Sequence, residues 1–144
     1  MSASALSDAQ ISVVRESFAR QTFMVTLGAR ILAVEPGAVT LGFVRDEAFL
    51  QQHGYLHAGV ATSVADSACG YAALTLAPVG HEVLTIEFKT NFLRPAAGSR
   101  FEARGRVVKP GRTVMFCDGE VWETEPERRL VAKMSATMIL QPKA

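Results

Sequence analysis

Asp66 is the only carboxylate in "HGYLHAGVATSVADSACGYAALTLA" (residues 53–77), a run otherwise dominated by small and apolar side chains. On a helical wheel at 100° per residue, Gly59, Thr62, Ser63, Asp66 and Gly70 form one polar line with glycine at both ends. Glycine lets another backbone or a ligand approach, so Asp66 is expected to face a narrow, mostly apolar place that something enters. A carboxylate buried there is costly to desolvate and its pKa tends upward, which suits proton abstraction. Two bland alternatives compete: Thr62 and Ser63 satisfy the carboxylate, or an arginine pairs with it across an interface.

Nine positions earlier stands His57, directly before the expected helix start at Ala58. The first N–H groups of a helix, here those of Ala58 and Gly59, lack intrahelical acceptors, and the helix dipole adds positive potential. They suit a carbonyl oxygen that gains negative charge. A carboxylate and an oxyanion site together are the minimum for hydrolysing an acyl group.

The elements that must position these groups follow from the hydrophobic pattern. Ser7 with Gln10 has capping-box spacing, and Ile11, Val14 and Phe18 continue an amphipathic helix over 8–20. The stretch 23–34 is rich in β-formers, "EPGA" (35–38) is a turn, and Val39, Leu41 and Phe43 alternate, which together predicts a hairpin. Residues 58–77 show no period of two and are apolar on nearly every side, as in a helix buried all round. Four alternating runs follow, at 82–93, 101–109, 113–124 and 129–140, punctuated by "RPAAGS", "KPGR" and "EPER". In the first, Leu84, Ile86, Phe88, Thr90 and Phe92 are expected on one face. Consecutive strands with short turns imply an antiparallel sheet, and an apolar helix beside it implies a sheet curled around that helix. This α+β arrangement is the hotdog fold: one long central helix and a short N-terminal helix, in a single domain spanning 1–144 with a 1–22 helical segment and a 23–141 core. Open sheet edges suggest a homodimer that continues the sheet.

Gln51, "GYLHAG" (54–59), Asp66, "LTIEFKTNFLRPA" (84–96) and "KPGRT" (109–113) together resemble the PaaI-like hotdog acyl-CoA thioesterases. The resemblance covers roughly residues 23–140 and implies a role for each matching residue. Asp66 matches the catalytic carboxylate, which activates water or attacks the thioester itself. Ala58 falls where the first glycine of H-G-G donates its N–H to the thioester oxygen; this chain reads H-A-G, and the extra methyl crowds that carbonyl. Gln51 matches a residue that orients substrate or water, and Thr85 one that places the attacking water. His57 is expected to orient its loop through a hydrogen bond, and Gly59 to line the substrate site. The resemblance further implies a site shared across the dimer, with Gln51 to Ala58 from one subunit and Asp66 and Thr85 from the other. Such dimers often pair into tetramers. No metal or cofactor is implied, since coenzyme A belongs to the substrate.

Coenzyme A carries phosphates, and the chain's formal net charge is only +1, so a local basic patch is required. Lys109, Gly111 and Arg112 form the expected patch at the "PG" turn, with Arg94, Arg100, Arg104 and Arg106 as weaker candidates; solvated strand arginines are the bland alternative. The balanced charge offers no general field for nucleic acid or an anionic membrane. Leu56–Val79 reads as a buried helix rather than a membrane span, given Asp66, Pro78 and many small residues. The opening "MSASALSDAQ" lacks a signal-peptide pattern, and Cys69 and Cys117 read as reduced thiols of a cytoplasmic protein. His53, His57 and His81 lack metal-site spacing, Ser63 and Ser67 lack a nucleophile elbow, and Trp122 reads as interface or core. The leading function is hydrolysis of acyl-CoA thioesters. A non-catalytic acyl-CoA-binding regulatory module is the alternative, disfavoured because it needs no Asp66; a hotdog dehydratase is disfavoured by the absence of a proline before the helix.

Overall fold

The computed structural model describes residues 4–144. Residues 1–3 of the expected N-terminal segment lie outside the described residues. Helix α1 (Asp8–Ala19) begins with a complete capping box, in which Ser7 and Gln10 satisfy each other's backbone N–H groups. Strands β1 (Arg30–Glu35) and β2 (Ala38–Val44) form a hairpin. A short 3₁₀ turn (Glu47–Phe49) and a loop lead to the long helix α3 (Ala58–Leu74). Strands β3 (His81–Phe92), β4 (Arg100–Lys109), β5 (Val114–Glu125) and β6 (Arg129–Pro142) complete the chain.

One expectation fails before β1. Part of the 23–34 stretch is a single helical turn, α2 (Thr22–Thr26), despite its β-forming composition. Gly28, at φ +70°, closes it: its N–H donates to Val25 O and the Ala29 N–H to Met24 O, the paired bonds of a Schellman stop. Burial of Met24 and Leu27 in the core outweighs the local propensity.

The six strands form one antiparallel sheet in the order β1-β2-β4-β5-β6-β3. It curls around α3, whose Val64, Ala65, Ala68, Cys69, Ala72 and Ala73 are almost fully buried. The closest approach is backbone on backbone: a Cβ added to Gly105 in β4 would lie 2.3 Å from the Ala68 carbonyl. Position 105 is therefore glycine because the helix backbone takes the space a side chain would need. At its far end α3 is tied to the β1–β2 hairpin, where the Gly37 N–H donates to Thr75 Oγ1 at 2.8 Å.

The helix is not buried all round. Thr62, Ser63, Asp66 and Gly70 remain half-exposed, so the polar line predicted on the wheel is the side the sheet leaves uncovered. The face of β3 also differs from expectation. A bulge between Thr85 and Glu87 shifts the register, so Val83 and Thr85 pair with Leu140 and Met138, whereas Phe88, Thr90 and Phe92 pair with Ala136, Met134 and Ala132. All of those β6 partners are buried, so the helix-side set on β3 changes parity at the bulge. Without it, Thr85 would share its face with Glu87 rather than with Phe88.

Candidate active site

The first group of site residues gathers on α3 and β3. Thr85 Oγ1 donates to Asp66 Oδ1 at 2.7 Å. Neither serine nor threonine of the helix does so: Ser63 turns back to donate to Gly59 O at 2.6 Å. Burial pushes the Asp66 carboxyl above its ordinary value, and the Thr85 hydrogen bond offsets part of that rise. The carboxylate opens into a cleft of about 250 Å³ bounded on the other side by α1 and the turn after it, with Ser17, Gln21, Ser67 and Tyr71 in its wall. Ser67 donates to Gln21 Oε1 at 2.9 Å, and the Ser17 and Tyr71 hydroxyls are 3.3 Å apart. No local sequence pattern signals these wall contacts, since Ser17 lies on α1 whereas Gln21, beyond its end, is the extended N-cap of α2.

A second group gathers at the start of α3. His57 is the N-cap, and its Nδ1 accepts from the Gly59 N–H at 2.8 Å. His57 thus caps the helix entry, and the Gly59 N–H, expected to be free, is taken up by its ring. A Cβ at position 59 would lie 3.0 Å from His57 Nδ1, so the capping ring would have to shift by a few tenths of an ångström to admit one. The Ala58 N–H, by contrast, donates to nothing among the described residues. It sits beside an apolar cleft of about 450 Å³ lined by Gln51, Tyr55, Leu56, Ala61, Phe92 and Pro95, among others. Gln51 braces its own turn by accepting from the His53 and Tyr55 N–H groups through Oε1.

These two groups line different clefts. Eight residues of helix at 1.5 Å each separate Ala58 from Asp66, about 12 Å along the axis. Within one chain they cannot serve the same carbonyl.

The basic candidates separate cleanly. Arg100, Arg104 and Arg106 are paired with Glu125, Glu35 and Asp118, and Arg94 donates to Leu130 O. Lys109 and Arg112 are exposed and form no ion pair among the described residues. Gly111 is required by the turn, where a Cβ would meet Val114 O. Leu140 links that turn to β3: its N–H donates to Thr113 O and it pairs with Val83, so the turn lies at the Thr85 end of the sheet. Trp122, expected in an interface or the core, is half-exposed, with its indole N–H on Glu120 and Arg128 stacked over the ring at 4.7 Å.

The sequence pattern of the thioesterase superfamily matches residues 53–129, more than half of the chain. The chain belongs to the thioesterase superfamily. Membership makes it an enzyme of thioester hydrolysis, and the matched span includes His57, Ala58, Asp66, Thr85 and the Lys109–Arg112 turn, though not Gln51. Over 93% of its length the chain superposes on 99% of a thioesterase family protein from Silicibacter pomeroyi, with a TM-score of 0.91 and 49% identity. The Escherichia coli PaaI protein of the phenylacetic acid degradation operon shares the fold at 20% identity, with a TM-score of 0.87 over 96% of this chain and 98% of that one. A Saccharolobus solfataricus protein provisionally named an esterase is 30% identical over 130 residues, 90% of this chain and 85% of its own. The hotdog fold and the PaaI-like resemblance are thereby established. No helix among the described residues is long and apolar enough to cross a membrane.

Proposed function

We propose that this thioesterase hydrolyses an acyl- or aryl-CoA thioester to the free acid and CoA, in sites formed between two copies of the chain. The observation that carries the proposal is the separation of the two half-sites. Asp66 and Thr85 form one, the Ala58 N–H with Gln51 forms the other, and about 12 Å of helix keeps them apart. A twofold partner would bring complementary halves together. Strand β3 supplies the means: it ends the sheet, it is twelve residues long, and Leu84, Ile86, Phe88 and Phe92 are 46–55% exposed. A long apolar edge of that kind favours pairing with a copy of itself.

In this reading Asp66 takes a proton from a water that Thr85 helps to place. The water oxygen attacks the thioester carbon, and the Ala58 N–H of the partner subunit stabilises the oxyanion. Collapse breaks the C–S bond, and the CoA thiolate leaves with the proton held by Asp66. Direct attack by Asp66 would differ only in placing the acyl group on the carboxylate first. Neither route uses a metal or redox cofactor. Gln51 lines the cleft of the oxyanion half, and Gly59 follows the donor Ala58 at the helix start. Lys109 and Arg112, which form no ion pair among the described residues, suit the CoA phosphates. Buried, free Cys69 and Cys117 support a cytoplasmic setting.

A panel of acyl- and aryl-CoA thioesters, followed with a thiol-reactive dye, tests the assignment. Release of CoA is expected from at least one member, and Asp66→Asn is expected to lower kcat by about a hundred- to ten-thousandfold. An Asp66→Asn enzyme as fast as wild type would remove the carboxylate from the chemistry.

A further inference from the structure

Glu123 is a fully buried carboxylate, 0% exposed, with no part in the chemistry above. It faces inward because it continues the unbroken alternation of β5, on the same side as the buried Met115, Cys117, Gly119 and Val121. All of its acceptor capacity is used. Oε1 accepts from the Ala97 and Gly98 N–H groups at 2.7 and 2.9 Å, and Oε2 accepts from Arg129 Nε and Nη2 at 3.2 and 2.9 Å. Gly98 is matched to it, since a Cβ there would lie 3.1 Å from the Glu123 carboxyl carbon and 2.6 Å from Glu125 O. A charged group removed from water persists only with such a complete set of donors.

The segment it holds leads to the oxyanion half of the site. Next to Ala97, the Ala96 carbonyl accepts from the Leu56 N–H at 3.0 Å. Leu56 is 4% exposed and directly precedes His57, the N-cap, and Ala58. Leu93, Arg94, Pro95 and Ala96 also form a wall of the cleft beside Ala58. A connected series of bonds thus runs from Glu123 through Ala97 and Gly98 to Ala96, then Leu56, and ends at the Ala58 N–H. Asp66 and Thr85 are not on it.

We propose that Glu123 is a positioning residue for the thioesterase site: by clamping the 95–98 segment it sets where the Ala58 N–H points. The proposal rests on the assignment of Ala58 as oxyanion donor. It separates two effects that simple destabilisation would merge. Loss of the clamp should lower kcat while leaving the acidic limb of the pH profile, set by Asp66, in place.

The test compares Glu123→Ala with Glu123→Gln, which keeps an acceptor oxygen for the two loop N–H groups. Amide hydrogen exchange in the substrate-free protein is expected to rise at Ala97, Gly98 and Leu56 in the alanine variant and much less in the glutamine variant. In parallel, kcat should fall by about ten- to a hundredfold in Glu123→Ala, the scale set by a small misplacement of a catalytic group, and be largely retained in Glu123→Gln. If Glu123→Ala does not fold, Glu123→Asp replaces it, since the shorter side chain withdraws the carboxylate from the same amides. Unchanged exchange at Leu56, or equal kcat loss in the glutamine and clamp-breaking variants, would overturn the proposal. The exchange measurement needs no substrate, so a protein that cleaves no thioester would sink the functional reading without deciding this one.

Discussion

The Thr85 hydroxyl donates to Asp66 at 2.7 Å, linking the edge strand of the sheet to the uncovered side of the central helix. Burial raises the Asp66 pKa and this bond lowers it, so the two effects oppose each other on one group. Thr85→Val removes the donor with little change of volume. The Asp66 pKa should then rise further, and the acidic limb of kcat/KM should move to higher pH. A pH–rate profile reads this directly; a limb that stays put would detach Thr85 from the carboxylate. Stability follows the same sign. A carboxyl whose folded pKa is raised favours the fold while protonated and loses that contribution as pH rises through the folded value. At neutral pH, Asp66→Asn is therefore expected to melt above wild type while losing activity.

Gly105 and Gly70 should respond oppositely to the same change. A methyl group at Gly105 would strike the Ala68 carbonyl and the Cys69 nitrogen, separating helix from sheet. Gly105→Ala is expected to cost about 1–3 kcal/mol or more, the range of an overpacked core. At Gly70 an added Cβ meets nothing within 4 Å, so Gly70→Ala should leave stability unchanged or improve it by up to about 1 kcal/mol. Chemical denaturation of both variants measures the contrast.

Ile86 tests the edge. It is 55% exposed on a strand with no neighbour on one side among the described residues. A lysine at such a position is a device that keeps edges apart. Ile86→Lys should sediment as one chain where wild type sediments as two, retain its helical and sheet signals, and lose thioesterase activity. A monomer with full activity would place both half-sites in a single chain.

Much of this was legible in the residues, and the failures have physical causes. The uncovered stripe on α3 could be read because Asp66 is alone among small side chains, and wheel position alone put Gly59, Thr62, Ser63 and Gly70 beside it. The Thr85 contact needed the resemblance, since no local pattern links residues nineteen apart. A bulge at Thr85–Glu87 defeated the alternation rule and moved the helix-side set, whereas Glu123 keeps the inward parity of Met115, Cys117, Gly119 and Val121 that the sequence of β5 carries. Helix α2 was misread because its residues favour strands while a glycine stop and two buried side chains decide the outcome. The Gly59 amide was misjudged because a cap depends on the His57 ring angle, which sequence does not carry.

Subunit complementation tests the shared site most directly. Ala58 is the first residue of α3, where proline is tolerated, and the N-cap His57 already has ψ 136°, as a residue before proline requires. Ala58→Pro thus deletes one N–H with little else disturbed, and both Ala58→Pro and Asp66→Asn homodimers should be nearly inactive. Co-expressed with different tags and purified as the mixed dimer, the two chains assemble one site with both defects and one with neither. The account predicts recovery of about half the wild-type kcat, one intact site of two. A mixed dimer as inactive as its parents would contradict it.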